Sequence, residues 1–268
     1  MVCAAKAAGL VRRATQRAAV KDALSGTWLG HALHPMLTDL PIGAWAMASA
    51  LDLTAGHGGA KAARRLVGIG LVAVVPTAGA GLSDWSDSHG PPRRVGLVHG
   101  LGNVAGVALQ AASWVARYRG HRGVGVALSG VGLGITAGAA SLGGHLSLVR
   151  GIGVSHTAFR EPVTDWTDVA STSDVTEDRP LRVTAGGVPV VLVRHNGALY
   201  ALSATCTHAG GPLDEGKLVE DGCIQCPWHA SVFRLADGEA VRGPASVGQP
   251  IWDVKIDNGR IHVRSATP

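Results

Sequence analysis

Charge is scarce in this sequence. Asp, Glu, Lys and Arg make up 16% of the 268 residues, against about a quarter in an ordinary soluble protein. Cysteine is scarce too, and four residues are too few for a disulfide-stapled miniprotein. No run of Lys and Arg is interleaved with aromatic residues, which argues against a nucleic-acid surface. The apolar content of 46% excludes a disordered chain, and the composition is not that of a coiled coil. No P-loop, dinucleotide-binding glycine fingerprint or nucleophile triad appears, although there are 38 glycines.

The shortage of charge is uneven. Residues 1–154 hold 14 Lys and Arg against 5 Asp and Glu, whereas residues 155–268 hold 10 against 14. A length of 268 residues suits one large or two modest domains, and this division favours two parts facing different solvents. Four stretches of the first part lack formal charge: 40–51, 66–83, 95–116 and 123–149. A membrane-spanning helix needs about 20 mostly apolar residues. The last three stretches qualify, and the first needs flanking residues to reach that length. None shows the polar stripe of a soluble helix. Gly130, Gly134 and Gly138, with Gly96, Gly100, Gly102 and Gly106, recur at the four-residue spacing that lets helices pack closely in lipid. The expectation is therefore an all-α four-helix transmembrane bundle over 25–154.

Residues 1–24 read as a basic helix, with Lys6, Arg12, Arg13, Arg17 and Lys21, lying on the membrane surface or disordered. No apolar run and cleavage site follow, so no removed signal peptide is expected. Basic residues are nearly balanced between the two sets of loops and do not set the orientation. An even number of spans gathers His31, His34, Asp39, Asp84, Asp87, His89, His99 and His145 towards one membrane face. Ionisable groups at such positions are costly and often functional. His99 and His145, with His34 as a third candidate, are placed to hold a b-type haem, a metal or a quinone, or else to form a polar network at the helix ends. The motifs His34-Pro35, Asp39-Leu40-Pro41-Ile42-Gly43, Gly143-Gly144-His145-Leu146 and Gly151-Ile152-Gly153-Val154 resemble an uncharacterised family of small four-helix bacterial membrane proteins. The likeness implies topology and no chemistry.

After residue 154 the pattern changes to short alternating apolar runs. They are broken by Gly186-Gly187, Asn196-Gly197, Asp221-Gly222, Asp237-Gly238 and Asn258-Gly259. Asx-Gly between β-branched runs signals hairpins. The expectation is a linker at 155–162 and a small all-β antiparallel domain over 163–268.

Within that domain Cys206-Thr207-His208 is followed, 17 residues later, by Cys226-Pro227-Trp228-His229. Two thiolates and two imidazoles can bind metal, and two readings compete. Zinc fingers group Cys with Cys and His with His. A [2Fe–2S] cluster of Rieske type has two Cys on one iron and two His on the other. If each loop lends one ligand to each iron, every pair is mixed, as it is here. Residues 163–265 closely resemble a Rieske ferredoxin domain, with Cys206, His208, Cys226 and His229 at its four ligand positions. Gly210, Gly211 and Pro212 match its first ligand loop and Pro227 its second.

The resemblance has informative departures. Respiratory Rieske proteins bridge their two loops with a disulfide, and the matching positions here are Gly211 and Trp228. Ser231 matches a hydroxyl near the cluster, but Phe233 replaces a tyrosine. Hydrogen bonds to the cluster sulfurs raise the potential, so a value between the low ferredoxin and high respiratory groups is expected. Ala230 stands where the family usually has glycine. Cys223 reads as a strand residue and Cys3 stands alone, and the lack of evident disulfide partners favours a reducing compartment.

These features imply a membrane-anchored carrier of single electrons, non-catalytic by itself, working between a reductase or quinol and a membrane-proximal acceptor. The expected setting is a bacterial cell membrane with the cluster domain on the cytoplasmic side. Too little sequence follows the cluster strands to hold the iron domain of a catalytic oxygenase. A haem- or quinone-binding oxidoreductase and a redox-sensing scaffold are the alternatives.

Overall fold

The computed structural model describes residues 2–219 and 222–266. The chain forms two compact units. One comprises residues up to Gln16 together with Leu33–Ile152; the other comprises Arg17–Ala32 and the chain from Gly153 onward. Six α-helices occur in chain order: α1 Val2–Thr15, α2 Ala18–Ser25, α3 Leu33–Thr54, α4 Ala60–Asp87, α5 Gly90–Tyr118 and α6 Arg122–Gly144. The last runs into a π-helical turn, His145–Val149.

The single basic helix expected over 1–24 is in fact two helices. Arg17 is extended (φ −62°, ψ 129°), and the helices on either side of it join different units. α1 stays with the helical unit, where Arg12 Nη2 donates to Ser86 O (2.8 Å). α2 joins the β unit. Tertiary partners decide where so short a helix begins and ends.

Four long helices, α3 to α6, build the helical unit. Three of them, α4, α5 and α6 with its π turn, are long and apolar enough to cross a membrane. α3 extends well beyond the charge-free stretch 40–51, but it carries His34, Asp39 and Asp52. Ala48, Ala63 and Val67 form a small apolar cluster, yet polar groups are buried and large apolar side chains exposed as well. Ser83, Gln110, Ser113 and Ser129 are sealed inside, while Leu53, Val72 and Val104 face outwards. Glycines let large side chains cross between helices. A Cβ on Gly70 would overlap the Trp45 indole, and that indole N–H donates to Val67 O (3.3 Å). Asp52 and Arg117 form a buried ion pair, to which Arg122 adds a contact with Asp52 Oδ1 (3.2 Å).

The β unit contains three antiparallel sheets. The first orders β1 (Thr167–Ser171), β10 (Arg260–Ser265) and β9 (Trp252–Asp257). The second orders β2 (Leu181–Ala185), β3 (Val188–His195) and β4 (Ala198–Ser203). The third orders β5 (Lys217–Val219), β6 (Cys223–Gln225), β7 (Val232–Arg234) and β8 (Ala240–Arg242). Asn196-Gly197 and Asn258-Gly259 close two-residue hairpins with φ values of 52° and 75°, and of 48° and 77°. Paired positive φ is what such turns need to match the strand twist. The expected turn at Asp221-Gly222 includes Asp221, which lies outside the described residues.

β3 is buried on both faces. Val190 and Leu192 enter one apolar cluster with Ile261 and Val263. Val191 and Val193 enter the other, with Leu202, Ile224, Phe233, Cys206 and Cys226. Alternate residues point to opposite faces of a strand, so a strand between two cores reads as one continuous apolar run.

Candidate metal centre

Two loops at the edge of the second cluster carry the chemistry, and they share one backbone plan. In the first, Cys206 N–H donates to Gly211 O (2.8 Å) and Gly210 N–H returns to Cys206 O (2.9 Å). In the second, Cys226 N–H donates to Ser231 O (2.8 Å) and Ala230 N–H returns to Cys226 O (3.1 Å). The fifth residue of each turn is left-handed, Gly210 at φ 77° and Ala230 at φ 63°. The plan explains why glycine suits that position, and it places Ala230 under backbone strain.

The loops bring the four residues together in two kinds of pair. Cys206 and Cys226 are both buried and their thiols are hydrogen-bonded to each other. That bond holds the Cys226 thiol down at about 7. It pushes Cys206 up, with burial adding to the rise. Backbone N–H groups of His208 and Ala209 favour the Cys206 thiolate, and those of Trp228 and His229 favour the Cys226 thiolate. The half-buried His208 and His229 stand with ring centres 5.0 Å apart and planes at 89°. The space between the loops admits no extra carbon. A Cβ on Gly211 would lie 2.9 Å from Cys226 Sγ and 3.1 Å from the Trp228 ring. Two thiols on one side, two imidazoles on the other, N–H donors towards sulfur and a glycine-lined cradle fit a [2Fe–2S] group. They do not group like with like along the chain as a zinc finger does.

The surrounding positions fall as follows. Gly211 and Trp228 lie against each other where a bridged relative would carry its disulfide. Trp228 is 56% exposed and Phe233 is fully buried. Ser231 is also fully buried, and its Oγ accepts Ala245 N–H (2.9 Å). Pro227 is exposed at the tip of the second loop. Cys223 sits in β6, paired with Arg234 of β7, and serves as a strand residue.

Sequence reasoning missed three supports. Gln249 is buried; its Oε1 accepts Thr207 N–H (3.2 Å) and its Nε2 donates to Thr205 O (2.6 Å). The linker is also part of the site: His156 N–H donates to Thr207 O (2.9 Å) and Arg160 Nη2 to Thr205 Oγ1 (2.7 Å). The third support is the segment before α3. Asp22 Oδ1 accepts Gly243 N–H (2.7 Å) and Thr27 Oγ1 donates to Ala245 O (3.1 Å). Those bonds fix the segment whose Ala245 N–H holds Ser231. A buried Gln among small residues was the one visible signal.

Of the three histidines expected to hold a membrane cofactor, the structure brings His34 to His99, with ring centres 6.4 Å apart. His145 begins the π turn, where its Nε2 accepts Arg150 Nε–H (3.2 Å).

Two mixed Cys/His loops on an antiparallel β unit define a Rieske-type iron–sulfur protein. The comparisons agree. Residues 165–253 match the Rieske [2Fe-2S] domain family, and residues 30–156 match a predicted membrane protein family (DUF2231). Ferredoxin CarAc of Metapseudomonas resinovorans is 31% identical over 99 residues, covering 37% of this chain and 92% of its own. The anthranilate 1,2-dioxygenase ferredoxin subunit of Burkholderia cepacia is 29% identical over 99 residues, covering 37% and 91%. The solved ferredoxin of carbazole 1,9a-dioxygenase from Nocardioides aromaticivorans IC177 is 27% identical, covers 38% of this chain and 100% of its own, and has a TM-score of 0.37. The chain belongs to the Rieske ferredoxin family, with its Rieske domain joined to a DUF2231 membrane-protein domain.

Proposed function

We propose that this protein is a membrane-anchored one-electron carrier. Cys206 and Cys226 would hold one iron of a [2Fe–2S] cluster, and His208 and His229 the other. A [2Fe–2S] cluster held this way supplies transfer of single electrons. The chain's own residues do the rest. The buried thiolates neutralise iron charge and are steadied by the N–H donors of the two loops. The half-buried imidazoles give the site its edge towards a partner. The exposed Trp228 supplies an aromatic surface beside them, of the kind enriched at contact patches. Ser231 has its oxygen occupied by Ala245 N–H, which orients its own proton. Phe233 offers no hydroxyl, so the potential falls below the high respiratory range.

α3, α4, α5 and α6 cross the bilayer, an even number of spans that leaves Arg17–Ala32 and the chain from Gly153 onward on one side, and hold the carrier at the membrane. In this reading the cluster domain lies on the cytoplasmic side. The relatives serve dioxygenase systems by name. By analogy the donor here is a reductase or quinol and the acceptor a membrane-proximal redox protein.

The observation that carries this reading is the thiol pair set with the imidazole pair across two loops of one plan. The test is electron paramagnetic resonance with metal and sulfide analysis of the full chain in detergent. Two irons and two sulfides per chain, with a Rieske signal lost in Cys206→Ser while the chain still inserts, support it. Zinc in place of iron, or a signal that survives Cys206→Ser and vanishes in Cys223→Ser, overturns it.

A further inference from the structure

The helical unit is a twofold repeat, and the repeat meets itself at two histidines. In the first hairpin, α3 with α4, His34 Nδ1 lies 2.9 Å from Thr77 O, and the ring fills the space a Cβ on Gly81 would take, 2.6 Å from Cε1. In the second, α5 with α6, His99 Nδ1 lies 2.7 Å from Ala139 O, and the ring stands 3.0 Å from the Cβ position of Gly143. The correspondence continues down the helices. Trp45 Nε1 donates to Val67 O over Gly70, as Gln110 Nε2 donates to Ser129 O beside Gly132. Positions 34, 45 and 52 map onto 99, 110 and 117, and positions 67, 70, 77 and 81 onto 129, 132, 139 and 143. At one end of the pseudo-axis the mates Asp52 and Arg117 form their ion pair. At the other the mates His34 and His99 face each other.

A carbonyl can only accept, so Nδ1 of each ring carries the proton and Nε2 keeps its lone pair. Two imidazoles are thus fixed on α3 and α5 by backbone bonds, the arrangement that sets a metal ligand's tautomer and orientation. Their ring centres lie 6.4 Å apart with planes at 90°. Two imidazoles trans on one metal, with bonds of about 2 Å, put their ring centres about 6 Å apart.

The donor count selects the ligand. Among the described residues no His, Cys, Asp or Glu joins the pair to make a group of three whose ligand atoms all lie within 4.8 Å of one another. A bare zinc, iron or manganese ion wants four or more donors. Copper(I) wants thiolate or thioether sulfur, which this His pair does not supply. A metal that brings its own equatorial nitrogens needs only two axial bases. We infer that His34 and His99 are the axial ligands of an iron porphyrin held at the pseudo-twofold axis of the helical unit, and that His145 is not. Asn103 Nδ2, 3.2 Å from His99 Nε2, holds that lone pair until iron takes it. The site is independent of the iron–sulfur cluster.

The test is titration of the purified full-length protein, in detergent, with hemin. The expected result is one hemin per chain and a six-coordinate low-spin spectrum with sharp bands on reduction. His34→Ala and His99→Ala each lose the low-spin spectrum and weaken hemin binding at least tenfold. His145→Ala keeps both, and Asn103→Ala binds more tightly. Gly81→Ala and Gly143→Ala, which place a carbon against the rings, weaken binding where Gly134→Ala, with nothing within 4 Å, does not. His99→Met stays six-coordinate with a raised midpoint potential, a change that mere loss of packing does not produce. An unchanged Rieske resonance in every variant separates this inference from the carrier reading, and an unchanged recovery in the membrane pellet and unfolding midpoint of the helical unit certify its fold. No hemin binding by the wild-type chain, a low-spin spectrum that survives the double His34→Ala, His99→Ala variant, or one copper or zinc per chain lost in those variants overturns it.

Discussion

In the helical unit Gln110, Ser113 and Ser129 are sealed while Leu53, Val72 and Val104 face out. In the β unit Val190, Leu192 and Ile261 are sealed while Lys255, Asp257 and Arg260 face out. Both units also bury the other kind of side chain, Trp45 and Val67 in the first and Ser231 and Gln249 in the second, so the contrast lies in the apolar side chains left outside the helical unit. In lipid there would be no gain for burying leucine between helices, and close contact through glycine and hydrogen bonding among small polar groups would hold the bundle. Water drives the apolar side chains of the β unit inward. The lesson is that burial alone does not identify a core; the apolar side chains left outside identify the solvent.

The largest effect that would break this comparison concerns ion pairs. Asp52 and Arg117 have side chains 1% and 3% exposed. Asp52→Ala leaves the Arg117 charge buried, and removing one partner of such a pair costs about 3–5 kcal/mol. The expected result is a steep fall in the unfolding midpoint of the helical unit in detergent. In the β unit Arg234 pairs with Asp237 and Glu239 in open solvent, and Arg234→Ala is expected to leave the midpoint where it was. Equal effects at the two sites would mean that both pairs sit in water.

Next in size is the outward face. Val72 is 73% exposed on α4 and Ile256 is 54% exposed on β9. By exposure alone the two are equivalent. An aspartate at mid-membrane costs about 3 kcal/mol, whereas a surface change on a soluble domain stays within about 0.5 kcal/mol. Val72→Asp is expected to reduce membrane insertion sharply, read as the fraction of chain recovered in the membrane pellet. Ile256→Asp is expected to leave that fraction and the Rieske resonance unchanged. A harmless Val72→Asp would remove the lipid from this account.

The division itself can be sharpened through Asp22, which lies before α3 in the chain but binds Gly243 N–H across 221 residues. A hydrogen bond to a charged group contributes about 1.5–3 kcal/mol. Asp22→Ala is expected to lower the denaturation midpoint read from cluster bleaching by that amount while the helical unit melts as before. A change confined to the helical unit would return residues 17–32 to it.

These partners explain what could be read in advance. The hairpins and the candidate metal ligands were legible because their signals are local: Asn196-Gly197 lies between β-branched runs, and each Cys sits two or three residues from its His. The mixed loop pairs then pointed to one kind of centre. The helix of residues 1–24 was misjudged because α2 is set by a partner far along the chain. The helical repeat was hidden because mates differ in chemistry. Trp45 and Gln110 do the same bonding, and Asp52 and Arg117 are opposite charges, so only His34 with His99 and a few glycines repeat as letters. Helix pairing and not chain position brings His34 to His99.

The smallest expected effect compares the two cluster loops with each other. Gly210 and Ala230 hold the same place in the same turn, both left-handed, at φ 77° and 63°. A side chain in that conformation costs about 1–2 kcal/mol, while glycine gives back about 0.5–1 kcal/mol through the greater freedom of the unfolded chain. Ala230→Gly is therefore expected to stabilise the β unit by about 0.5–1 kcal/mol. Gly210→Ala should destabilise it by more, because its new Cβ would also stand 3.2 Å from His156 Nδ1. Both are read as the guanidinium midpoint for loss of the Rieske visible bands in the full chain. If Ala230→Gly lowered that midpoint, the methyl group would be contributing a contact worth more than the strain. The two loops would then share a backbone plan without sharing its energetics.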